Sequence, residues 1–100
     1  MAKLIIVYWR DIPAQVIVKA GRQAAKRQLN ERFEKAIDRA AMRAKRRDTA
    51  SYLAEWRRAD PVDCGDDLES EAAAAAERLE AEYDDTRLKA LVESGGVNQN

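Results

Sequence analysis

The run Leu4-Ile5-Ile6-Val7-Tyr8-Trp9 constrains this chain more than any other segment. Its β-branched and aromatic residues, set between Lys3 and Arg10, predict a strand over residues 3–10. Alternation sends Leu4, Ile6 and Tyr8 to one face and Ile5, Val7 and Trp9 to the other. Both faces are apolar, so the strand requires cover on both sides. The rest of the chain is poor in material for that cover. Of 100 residues 46% are hydrophobic, but 19 are Ala, and Leu, Ile, Val and Phe together also number 19. That is the edge of the composition at which a chain fails to build a core.

Asp11-Ile12-Pro13 predicts a turn, because proline fixes φ and lacks a donor. Residues 14–19 then read as a second, antiparallel strand ending at Gly21. Residues 22–29 admit two readings. The four-residue spacing of Ala25, Leu29, Phe33 and Ile37 allows one long helix from Arg22. Alternatively this stretch is a loop or short third strand, and the helix begins after Asn30, a good N-cap followed by Glu31. The second reading is preferred. From Glu31 to about Lys45 the inner stripe is Phe33, Ile37, Ala40, Ala41 and Ala44, with Arg32, Lys35, Arg39, Arg43 and Arg46 outside. Asp48-Thr49 is a break with capping chemistry. Residues 50–58 read as a short helix whose Tyr52, Leu53 and Trp56 pack on the Phe33–Ile37 stripe. Residues 59–66 read as a polar linker. An acidic, alanine-rich helix follows over 67–93, with Asp84-Asp85-Thr86 as a point of interruption, and residues 94–100 form a disordered tail.

The result is an α+β fold: an N-terminal antiparallel hairpin followed by three helices. The compact domain is expected over residues 3–58. One helical layer covers one face of a hairpin. Three medium-sized apolar side chains left wet would cost about 1.5–3 kcal/mol each, close to the whole stability of a small domain. The expected remedy is a second chain, hetero- or homo-oligomeric, meeting Ile5, Val7, Trp9 and Tyr8.

A formal net charge of zero conceals a polar molecule. Residues 1–58 carry 15 basic and 6 acidic side chains; residues 59–100 carry 3 and 12. Such a split points to a partner or to internal docking. The basic helix 31–47 could meet phosphates, which makes a nucleic-acid binder shielded by its own acidic tail the alternative function. Aromatics are not interleaved with these charges as stacking platforms require. Lys19, Arg22, Lys26 and Arg27 flank Gly21 and, with Arg39 and Arg43, are the candidate anion- or partner-contacting residues. They lack the glycines of a phosphate loop.

Several chemistries are closed. With no His and one Cys, neither a Cys/His zinc site nor a Ser-His-Asp or Cys-His centre can form within this chain. The acidic run Asp60 to Asp67 lacks the alternation and terminal Glu of an EF-hand loop. No metal, cofactor or catalytic residue is assigned, and Cys64 reads as an inert thiol. No apolar run reaches the roughly 20 residues of a membrane span. With no export signal read, a cytoplasmic location is expected.

Three blocks resemble a small bacterial family labelled "virulence factor" domain. They are Ile-Ile-Val-Tyr-Trp-Arg-Asp-Ile-Pro-Ala-Gln-Val-Ile-Val-Lys (5–19), Glu-Arg-Phe-Glu-Lys-Ala-Ile-Asp-Arg-Ala-Ala-Met-Arg-Ala (31–44) and Tyr-Leu-Ala-Glu-Trp-Arg-Arg (52–58). The resemblance covers about residues 3–58 and leaves the acidic remainder outside. It implies an accessory, non-catalytic role beside tetrahydrofolate-linked one-carbon methyl-transfer enzymes, such as a flavin-dependent reductase or a methyltransferase.

Overall fold

The computed structural model describes residues 2–45 and 48–97. In chain order it contains β1 (Ala2–Trp9), β2 (Ile12–Ala20), β3 (Gln23–Gln28), α1 (Glu31–Arg43), α2 (Thr49–Ala54), β4 (Trp56–Arg58), β5 (Val62–Cys64), α3 (Leu68–Glu82) and α4 (Asp85–Glu93). The fold is α+β, as the hairpin-then-helices pattern predicts. The antiparallel sheet runs β3-β2-β1, and both β4 and β5 pair with the far edge of β1.

The hairpin turns one step earlier than expected. Arg10 and Asp11 make the turn, and Arg10 takes a positive φ of 55°. Tight hairpin turns need such angles, at a steric cost for a non-glycine residue. Arg10 is held there from several sides. Its Nε and Nη2 donate to Glu55 Oε2 at 3.0 and 2.8 Å, and its Nη1 donates to the Gly95 carbonyl at 3.0 Å. Pro13 lies inside β2 rather than in the turn. The register steps from Val7↔Gln15 to Tyr8↔Pro13 and skips Ala14. Such an irregularity is where a strand tolerates a residue without an N–H.

Residues 23–28 are a third strand, and the Asn30 side chain caps α1 by accepting the Arg32 N–H at 3.0 Å. Asp48, Asp67 and Asp84 cap the later helices in the same way, each accepting an N–H three residues on. Residues 56–58 are a strand, not the end of a helix. They pair with Trp9, Tyr8 and Val7, an edge that local helical spacing cannot register. Leu53, expected in the core, is 58% exposed. The expected linker 59–66 carries β5, which pairs with Ala2, Lys3 and Leu4. The expected last helix is two, broken at Tyr83-Asp84. Residues 94–97 of the expected tail are ordered: the Asp11 N–H donates to the Gly96 carbonyl at 2.8 Å. Arg46, Arg47 and residues 98–100 lie outside the described residues.

One buried cluster joins Leu4, Trp9, Val16 and Val18 of the sheet to Phe33 and Ile37 of α1, Ala72, Ala76 and Leu79 of α3, and Leu88 and Leu91 of α4. The acidic helix α3 packs on β2 and β3, and α4 is the element that packs on the basic α1. Charge pairing plays a small part in that docking. Arg32 donates to the Tyr83 and Glu80 carbonyls at 2.7 Å each, and Arg43 to the Glu93 carbonyl at 3.0 Å. These carbonyls end α3 and α4, where the helix leaves acceptors free and its dipole favours a cation. The ion pair Arg32–Asp85, at 3.4 Å, is the exposed addition.

Ile5 and Trp9 are buried within this single chain, contrary to expectation, while Val7 on the same strand is half-buried. Trp9 is 0% exposed and Ile5 9%. Trp9 belongs to the same buried cluster as Leu4, although strict alternation would separate them. Trp9 stacks on Tyr52 with ring centroids 5.8 Å apart, and its indole N–H donates to the Tyr52 carbonyl at 3.0 Å. Gly96 lies so close that a Cβ there would sit 2.9 Å from the indole ring.

Candidate partner-binding face

Cross-strand partners share a face, and so do residues two apart along a strand. The register therefore gathers Lys3, Ile5 and Val7 of β1, Gln15, Ile17 and Lys19 of β2, Lys26 and Gln28 of β3, Arg58 of β4 and Asp63 of β5. This face lies opposite α3, which borders Leu4, Val62 and Cys64 on the other side. Its centre is Ile5 against Ile17, and Ile17 is only 2% exposed. The residues around them, Lys3, Lys19, Lys26, Gln28, Arg58 and Asp63, are all exposed. Long side chains lay their aliphatic stems over apolar neighbours while the charged ends stay wet.

The charge on this face is one-sided: four cations against Asp63. Lys3 donates to Asp63. Lys19, Lys26 and Arg58 make no ion pair among the described residues. Lys3 and Lys19 stand directly opposite each other across β1 and β2. Like charges in that position destabilise a sheet. The Lys3 ammonium, by hydrogen bond and then by charge, holds the Asp63 carboxyl below the ordinary aspartate range.

The predicted site residues separate into three groups. Ile5, Val7, Lys19 and Lys26 come together on the open sheet face. Trp9 is buried and cannot anchor a partner. Tyr8 is half-buried under the Arg57 guanidinium, 4.5 Å above its ring. Burial is the main reason its hydroxyl titrates above the ordinary tyrosine value, with Tyr83 and Glu82 adding and Arg57 and Arg87 opposing. Arg22 is exposed in the turn between β2 and β3, and Arg27 on β3 stands opposite Val16 of β2, near Glu77 and Glu80 of α3. Arg39 borders a groove of α1 and α4, and Arg43 caps α4. The six cations therefore do not form one anion site. Sequence reasoning missed Lys3 and Arg58. Alternation from Ile5 and Val7 points to Lys3; Arg58 was hidden by its assignment to a helix.

Elsewhere the acidic residues serve structure. Besides capping helices, they fasten β5: Glu71 Oε1 accepts the Gly65 N–H at 2.6 Å. Among the described residues no three His, Cys, Asp or Glu side chains are placed to hold a metal. Cys64 titrates above the ordinary thiol value because of partial burial, then the charges of Glu71, Asp63 and Asp66. A thiol so placed is a poor nucleophile at neutral pH. Among the described residues no helix is long and apolar enough to cross a membrane.

A family model described as "Virulence factor" matches residues 7–92. The match takes in β5, α3 and most of α4, so the acidic half lies within the family rather than outside it. No curated protein and no solved structure matches the chain.

Proposed function

The chain belongs to the virulence factor family, and on that footing we propose that it is a non-catalytic protein-interaction module, an accessory subunit acting in the cytoplasm. Its open sheet face meets an acidic surface on another protein. One observation carries this reading: Lys3 and Lys19 are opposed on adjacent strands, with Lys26 and Arg58 on the same face making no ion pair among the described residues. An anionic partner turns that repulsion into attraction and steers encounter. Ile5 and Ile17 are buried beneath this face, so the contact rests on its exposed charges.

The basic helix offers less. Arg32 and Arg43 are committed to helix ends, and Arg46 and Arg47 lie outside the described residues. The first candidate partner is the class implied by the family, a tetrahydrofolate-linked methyl-transfer enzyme. The test compares the wild-type chain with Lys19→Glu/Lys26→Glu. Expected is salt-sensitive binding to one protein, with association slowed about tenfold or more by the reversal. Binding unchanged by the reversal sinks the reading. Retention of nucleic acid instead would assign the face to phosphates, and light scattering on the purified chain identifies self-association.

A further inference from the structure

A second, chemically different site stands on α1, α2 and β4. A cleft of about 240 Å³ is bordered by Gln28, Leu29, Glu34, Ile37, Tyr52 and Trp56. The Tyr52 and Trp56 rings meet nearly at right angles, 79° with centroids 6.0 Å apart, and form two walls of a corner. The corner is rigid, because the buried Trp9 stacks on Tyr52 and bonds its backbone carbonyl. Glu34 borders the same space, and Asp38 lies one turn further along α1. Neither carboxylate makes an ion pair among the described residues, whereas Glu31 on the same helix pairs with Lys35. Two carboxylates four residues apart repel each other.

We propose that this cleft binds an alkylammonium cation, seated against the faces of Tyr52 and Trp56 and neutralised by Glu34 and Asp38. Ring faces carry negative potential and attract cations, most strongly where water is excluded. The two carboxylates exclude an anion. A hard metal ion needs six or more oxygen ligands, which this aromatic corner does not provide. The volume lies below the roughly 300–1,000 Å³ of sites for drug-sized ligands and suits a single head group. Burial first, then Asp38, lifts the Tyr52 hydroxyl above its ordinary titration range, with a hydrogen bond to Trp56 opposing and Glu34 adding. An ammonium has two sources: a small quaternary amine, or a lysine side chain, methylated or not, on a protein.

The experiment is titration of the full chain, followed by the Trp56 indole N–H signal in NMR. The probes are choline, its uncharged isostere 3,3-dimethylbutanol, and N-acetyl-trimethyllysine methylamide. Choline should bind, and the neutral isostere should bind at least about tenfold more weakly. Trp56→Leu should weaken binding by a similar factor. Should that variant not fold, Glu34→Gln, at an exposed position, must still weaken choline binding several-fold while the circular dichroism stays unchanged. Equal binding of choline and its isostere, or no response of the Trp56 signal to either ammonium compound, overturns the proposal. Tighter binding of the trimethyllysine compound than of choline assigns the site to a protein side chain; the reverse assigns it to a free amine.

Discussion

Replacing Gly96 by alanine tests whether the C-terminal residues seal the core. Gly96 has φ +93°, and a Cβ there would meet Trp9 Cζ3 at 2.9 Å and Cε3 at 3.2 Å. Two costs add. A non-glycine residue at positive φ costs about 1–3 kcal/mol. Overpacking against a fully buried ring costs about 1–3 kcal/mol more. Gly21→Ala supplies the control, because Gly21 has φ +60° and nothing within 4 Å of the added atom. It bears the first cost alone. In a domain of about 100 residues each kcal/mol lowers Tm by about 4–8 °C. Gly96→Ala should therefore melt at least about 4–8 °C below Gly21→Ala when both are followed by circular dichroism. Equal melting of the two variants would show that the chain end does not rest on Trp9.

Other expectations follow from the same contacts. Leu79, 4% exposed, fixes α3 beneath the sheet; Leu79→Ala should cost about 2–5 kcal/mol in urea unfolding. Hydrogen exchange of residues 68–82 should be equally slow at low and high salt, since apolar packing rather than charge holds them; marked loosening in high salt would contradict this. Asp63, its carboxyl lowered by Lys3, gives a pH dependence of known sign. A depressed folded pKa contributes stability above the unfolded value of about 3.9, lost as the pH falls through the folded value. The Lys3–Lys19 repulsion persists at acid pH. The stability of wild type relative to Lys3→Met should thus decline on acidification below about pH 4 and change sign in favour of the variant. A difference independent of pH would disprove the pairing.

Legibility differed from element to element. The first strand, the capping residues Asn30 and Asp48, and the stripe Phe33, Ile37, Ala40 and Ala41 could be read directly, since each depends on neighbours within a few residues. Trp56 and Arg58 could not. Their local spacing fits a helix, and the edge of β1 that draws them into a strand lies some fifty positions away. Trp9 was misplaced for a similar reason: Tyr52, which stacks on its ring and accepts its indole N–H, lies 43 positions away. The candidate face was half visible, in Ile5, Val7, Lys19 and Lys26.

By itself, then, the sequence settled an α+β chain opening with a doubly apolar strand, basic before Arg58 and acidic after it, without the side chains for a His- or Cys-based centre. Periodicity, capping and composition are local quantities, and they require no knowledge of what lies across the molecule. Only the tertiary structure decided where the charge goes. Arginines close helix ends through backbone carbonyls, lysines gather on the sheet face opposite α3, and the acidic helix packs by its alanines. These outcomes turn on strand register and on which long side chain reaches which neighbour, and such distances exist only once the chain has closed on itself.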